Sequence, residues 1–155
     1  MAGYIHERED ITTVYDNDEY NIGSWTYDSG KKYFFRQYDS GASAACVAGT
    51  HVTKTDANSN IVTDTVGFND SGGFAAAAMT AGQYGWFLTW GDVTCFHDTV
   101  RSASVGAPVI GAGAASVGKV LAMSSGVAAT YQILGYVRAA QTAGASALTV
   151  RAEIE

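Results

Sequence analysis

The residues best suited to chemistry are few: His6, His51, His97, Cys46, Cys95 and the acidic side chains. A zinc site gathers about four nitrogen or sulfur ligands at characteristic spacing. The three histidines are scattered and form no HxxxH pair. Cys95 and His97 alternate along an extended run and can share a face, but a metal would still need two further ligands. A packed thiol beside a strand-end imidazole is the plainer reading. Asp56, Asn58 and Asn60 resemble the opening of a calcium loop, yet Ile61 stands where that loop needs glycine and Gly67 where it needs glutamate. The acidic stretch Asp16 to Glu19 reads as a solvated turn. Gly111 and Gly113 begin a dinucleotide-type loop, but Ser116 replaces its third glycine and no acidic residue follows to hold a ribose. Neither a Walker-type phosphate loop nor a nucleophile elbow occurs. The expectation is therefore no metal, no cofactor and no catalytic residues, in a chain that is not an enzyme. A small hydrolase on an all-β scaffold is the competing idea, for which the sequence nominates no residue.

The elements that position these groups read as strands. Eighteen glycines and one proline interrupt nearly every alanine-rich stretch, and each glycine costs a helix about 1 kcal/mol against alanine. Short β-branched and aromatic groups lie between them, the pattern of a sandwich or barrel. Leu148, Val150, Ala152 and Ile154 alternate with Thr149, Arg151 and Glu153, which is period two with one face buried. Residues 132–139, 119–123, 107–110, 32–38, 46–52 and 61–66 are further strands, with Pro108 placing its strand at an edge or a start. Residues 84–90 and 93–97 flank Gly91-Asp92, a two-residue hairpin turn. Phe74 to Met79, preceded by Asp70 and Ser71 and followed by Gly82, predicts one short helix near 73–80. The fold expected is all-β, a small barrel or sandwich of short antiparallel strands with that single helix. Phe34, Trp86 and Phe96 read as core.

At 155 residues, 47% apolar and 15% charged, with a formal charge of −6, the chain suits one domain that holds a core without staples. The acidic balance excludes a free nucleic-acid binder. The N-terminus shows neither the basic start nor the apolar run of a signal peptide, and no apolar stretch is long enough to span a membrane. Cys46 and Cys95 lie far apart, and two buried thiols are the simpler reading than a bridge. Charge is segregated. Residues 1–40 carry four basic and eight acidic groups, whereas residues 99–152 carry four basic groups and no carboxylate. Opposite ends of two copies are thereby complementary. The aromatic fraction of 12% adds tyrosine and tryptophan, which are favoured at interfaces and also form sugar platforms.

Several runs together resemble the small capsid decoration, or cement, proteins of tailed bacteriophages. They are Tyr33-Phe-Phe-Arg36 followed by the small-residue stretch 41–49, the run from Ala81 to Trp86 (AGQYGW), Ile133-Leu-Gly-Tyr-Val137, and the closing residues 147–154. The likeness covers residues 30–155. It implies a non-enzymatic all-β protein that forms a homotrimer on the outer surface of an icosahedral head, binds the major capsid protein, and is made in the host cytoplasm. Neither nucleic acid nor membrane is an expected partner. Residues 1–30 fall outside the likeness as an N-terminal arm or extension, with residues 31–155 as the decoration domain. The alternative is a receptor- or carbohydrate-binding domain of a phage appendage. Candidate contact residues are Tyr4, Ile11, Val14 and Tyr15 in the arm, and Arg101, Arg138 and Arg151 as charge partners. Gln83, Tyr84 and Trp86 are expected to fix the junction before the following strand.

Overall fold

Glycine keeps the alanine-rich stretches out of helix, and the β-branched and aromatic groups between them find partners across a sheet. The computed structural model describes residues 2–5, 10–39, 45–55, 59–64, 70–98, 102–112, 117–123 and 132–154. Its strands are β1 (Trp25–Asp28), β2 (Lys31–Tyr38), β3 (Ala45–Cys46), β4 (His51–Lys54), β5 (Ile61–Thr63), β6 (Ser71–Ala75), β7 (Met79–Thr80), β8 (Tyr84–Phe96), β9 (Pro108–Gly111), β10 (Val120–Ala122), β11 (Gly135–Val137) and β12 (Ala147–Glu153). β3 pairs with β7, and the other ten share one sheet in the order β1-β2-β5-β4-β6-β8-β12-β11-β9-β10. β2 also pairs with β8, so β2, β5, β4, β6 and β8 form a closed circuit of hydrogen-bonded neighbours. From β8 a second run, β12-β11-β9-β10, extends away from that circuit.

The all-β expectation holds, with corrections, one being that the expected strand 46–52 is split into β3 and β4 by a turn at 48–49. The sheet is mixed: β2 and β5 run parallel, with Gln37 opposite Ile61. The short helix near 73–80 is not formed. Phe74 and Ala75 instead lie in β6, opposite Leu88 and Phe87 of β8, and Met79 and Thr80 form β7. A helix so short has an unfavourable nucleus, whereas Phe74 in the strand is fully buried. A further correction concerns Gly91-Asp92, which is not a turn. β8 runs through it for 13 residues, pairing first with β2 and β6 and then with β12. Gly91 has φ +121°, and a Cβ there would lie 2.7 Å from Lys31 Cγ. It marks a bend where another strand approaches closely. Trp86 and Leu88 before the bend, and Cys95 after it, all enter the main core, so the buried face of β8 switches from even to odd positions.

The main core joins Tyr33 and Phe35 of β2, Phe74, Trp86 and Leu88 with Val109, Val137, Leu148, Val150 and Ala152 of the second run. A smaller cluster holds Tyr38, Cys46, Val52, Val62, Ala75, Met79 and Phe87. The period-two reading of the last strand is met, since Leu148, Val150 and Ala152 are wholly buried. Of the residues expected in the core, Trp86 is buried, Phe96 is 38% exposed because it falls on the outer parity of β8, and Phe34 is only half-buried. Cys46 and Cys95 are buried free thiols in separate clusters, and burial pushes them up to about 11 and about 12. No helix among the described residues is long and apolar enough to cross a membrane.

Candidate functional site

Two surfaces gather the charged and aromatic groups that the core leaves outside. The first is the outer face of β8, β12 and β11. Cross-strand register sets Arg151 opposite both Asp92 and Tyr136. The Arg151 guanidinium lies 4.1 Å from the Trp90 ring centroid, a stacking contact that also holds the cation still. Asp92 Oδ1 sits 3.5 Å from Arg151 and 3.7 Å from Arg138. These distances are long for hydrogen bonds and the side chains are partly exposed, although Asp92 Oδ1 itself is buried without a hydrogen-bond partner, so the pairs orient the arginines more than they stabilise the fold. Trp90 and Tyr136 are 40% and 41% exposed. The face is therefore a row of tryptophan, arginine and tyrosine fixed on paired strands.

The second is a cavity of about 650 Å³ bordered by Tyr27, Lys32, Phe34, Arg36, Lys54, Asn60, Thr89, Trp90 and Ile154. Strand parity builds it. Tyr33 and Phe35 turn into the main core, while Lys32, Phe34 and Arg36 border the cavity. The backbone N–H of Ile154 donates to the Thr89 carbonyl at 2.8 Å, which brings the end of the chain to one wall. Lys32 Nζ lies 4.9 Å from the Phe34 ring centroid and the Arg36 guanidinium 5.2 Å from it. Arg36 is 5% exposed, and its Nη1 donates to Asn60 Oδ1 at 3.2 Å. Its Nε and the Thr89 Oγ1 are buried without a hydrogen-bond partner. Burial pulls the Arg36 guanidinium down to about 10, so it stays charged at neutral pH.

A third grouping looks chemical and is closed. His51 Nε2 and Ser71 Oγ are 3.0 Å apart, the spacing of a base and a nucleophile. The Gly73 N–H donates to that same hydroxyl at 3.2 Å. The His51 and Ser71 side chains are both buried, and among the described residues His51 borders a space of only about 10 Å³, shared with Thr53, Asp64, Gly111, Gly118 and Lys119, far below the size of a small-molecule site. The pair ties β4 to β6. Desolvation lowers His51 from 6.5 to about 4. The folded value lies below the unfolded one, so this contribution is full above pH 6.5 and is lost as pH falls towards 4. Acidification across that window should cost about 3 kcal/mol. Urea midpoints at pH 7 and pH 4.5 check this, and His51→Asn should flatten the difference.

The arginines expected from sequence as charge partners, Arg138 and Arg151, meet at Asp92; Arg101 lies outside the described residues. Tyr4 is exposed and bridges Trp25, with ring centroids 4.7 Å apart. Tyr15 exchanges backbone hydrogen bonds of 2.9 and 2.8 Å with Tyr84. Ile11 and Tyr15 are half-buried against the main core and Val14 against the smaller cluster. Gln83 fixes the turn into β8, accepting from Thr80 N–H and donating to Asp16, both at 2.9 Å. The calcium-like residues Asp56 and Asn58 lie outside the described residues, and no group of three His, Cys, Asp or Glu side chains suited to a metal occurs among those described. Nothing in the sequence groups Lys54, Asn60, Thr89 and Ile154, because the closed circuit of strands and the Ile154–Thr89 backbone hydrogen bond bring them together.

No family model matches the chain, and no curated protein does. Among solved structures the chain is similar to the N base of head fiber gp8.5 in bacteriophage phi29, at 13% identity over 79% of this chain and 97% of that one, with a TM-score of 0.46.

Proposed function

We propose that the chain is a structural protein of a tailed-phage head, a decoration or cement protein that sits as a homotrimer on the outer surface of the shell and ties major capsid proteins together. The observation that carries this reading is the outer face of β8, β12 and β11. Tryptophan, tyrosine and arginine are the residues that dominate binding energy in protein interfaces. Here they are held on paired strands, so little order is lost on docking. The exposed acidic residues Asp18 and Glu19 offer a neighbouring copy the charge opposite to Arg138. The sequence runs that resemble cement proteins support the same reading. Weak contacts repeated by symmetry then add as avidity, and binding to the folded form stabilises it by mass action. The experiment is direct: purified protein added to heads that lack it should bind saturably, and a protein that ignores them rules this reading out.

A second reading, a receptor- or carbohydrate-binding domain, is favoured by one specific feature, the cavity bordered by Trp90, Tyr27 and three cations. The two are compatible on a surface that faces the medium.

A further inference from the structure

The cavity beside β2 and β8 is unusual for this chain. The protein is formally −6 overall, yet Lys32, Arg36 and Lys54 border one concavity with no carboxylate among its described lining residues. The described ion pairs involve none of these three. Three like charges held together away from full hydration repel one another, and a buried guanidinium without a counter-charge is costly. Arg36 has five N–H donors, of which one is spent on Asn60. Thr89, which also lines the cavity, has a buried hydroxyl without a partner. An anion docked there would supply the missing charge.

The size and the remaining walls narrow the class. About 650 Å³ lies within the range of small-molecule sites, roughly 300–1,000 Å³, and is far larger than a bare ion needs. Tyr27, Phe34, Trp90 and Ile154 supply flat or apolar surface, and Asn60 supplies an amide. Side-chain cations take phosphate and carboxylate alike, so it is the aromatic and apolar walls that argue for an anion borne on a ring rather than a bare ion. A carboxylate matches guanidinium and ammonium donors through short, charge-assisted hydrogen bonds. The C–H face of a pyranose ring suits an aromatic face, which carries partial negative charge. Trp90 is covered by Arg151 on one side and still borders the cavity.

We propose that this cavity binds an acidic sugar, a uronate-type pyranose whose carboxylate meets Lys32, Arg36 and Lys54 while its ring packs against Trp90 and Tyr27. The inference deepens the carbohydrate-binding reading and does not depend on the head reading. Calorimetric titration of the full chain with glucuronate, its methyl ester, glucose and inorganic phosphate tests it. Glucuronate should bind at least about tenfold more tightly than the ester or glucose, the effect of losing one charge-assisted contact. Lys32→Gln with Lys54→Gln should weaken glucuronate by about tenfold or more and leave glucose unchanged. Both positions are half-buried, so this pair avoids the folding risk of replacing Arg36, and the ester arm needs no variant at all. Equal binding of glucose and glucuronate overturns the acidic-sugar assignment and leaves the carbohydrate reading standing. Binding of neither sugar overturns both. Phosphate binding as strong as glucuronate marks a bare anion site and also overturns the proposal.

Discussion

Gly135→Ala should destabilise the protein by about 4 kcal/mol, the sum of backbone strain and overpacking where neither can relax. Gly135 has φ +148° and sits in β11 between Ala152 of β12 and Val109 of β9. A Cβ there would collide with the Arg151 carbonyl and lie 3.0 Å from Ala152 Cα. Both obstacles are backbone, so no rotamer change relieves them, and separating β11 from β12 would break the ladder that carries Val137 and Val150 into the core. A domain's total stability is only about 5–15 kcal/mol, so the variant should unfold at much lower urea. Gly3→Ala is the control: a Cβ at Gly3 meets nothing within 4 Å, and its midpoint should stay within about 0.5 kcal/mol of the parent. A Gly135→Ala midpoint equal to that of Gly3→Ala would mean that β11 is not seated between β12 and β9.

The second large effect concerns contact. Tyr136→Ala with Arg138→Ala should weaken attachment to heads about 30-fold, equivalent to roughly 2 kcal/mol from a central tyrosine and arginine. Both side chains are exposed. The Arg138 side chain makes a long ion pair to Asp92 and its backbone hydrogen bond to Thr149 survives the substitution, so the urea midpoint should move by no more than about 0.5 kcal/mol. Neither residue borders the cavity. Lys32→Gln with Lys54→Gln should accordingly leave head attachment unchanged, which separates the two surfaces. Quantified occupancy of purified heads, at matched protein concentrations, distinguishes the two double variants.

The strands whose register is set by one buried face were legible from the chain alone. The alternation from Leu148 to Ile154 specifies β12 because a one-residue slip would put Leu148 and Val150 into water. What misleads is local chemistry that tertiary pairing overrides. Gly91-Asp92 has the composition of a tight turn, and only its distant partners β2, β6 and β12 make β8 a single bent strand. Phe74 to Met79 has the composition of a helix, yet Ala75 and Ala76 donate their N–H groups to Thr50 and Trp86 carbonyls, partners far away in sequence.

The candidate sites divide in the same way. Lys32, Phe34 and Arg36 stand at period two, so a strand face mixing cations with an aromatic ring is visible in the sequence. That Lys54, Asn60, Thr89 and Ile154 join them follows from parallel pairing of β2 with β5 and from the return of β8 to β2, which no local pattern encodes. Arg138 and Arg151 were identifiable as cations in a carboxylate-free stretch. Their orientation by Asp92 and Trp90 depends on the pairing of β8 with β12.

The proposed role is attachment to a shell. Its most direct measurement counts the copies retained on purified heads that lack the protein, after incubation and sedimentation, together with the temperature at which those heads release their DNA. Saturable retention in multiples of three, with release shifted to higher temperature, is the predicted result. Heads that sediment bare and release their DNA at an unchanged temperature would contradict it.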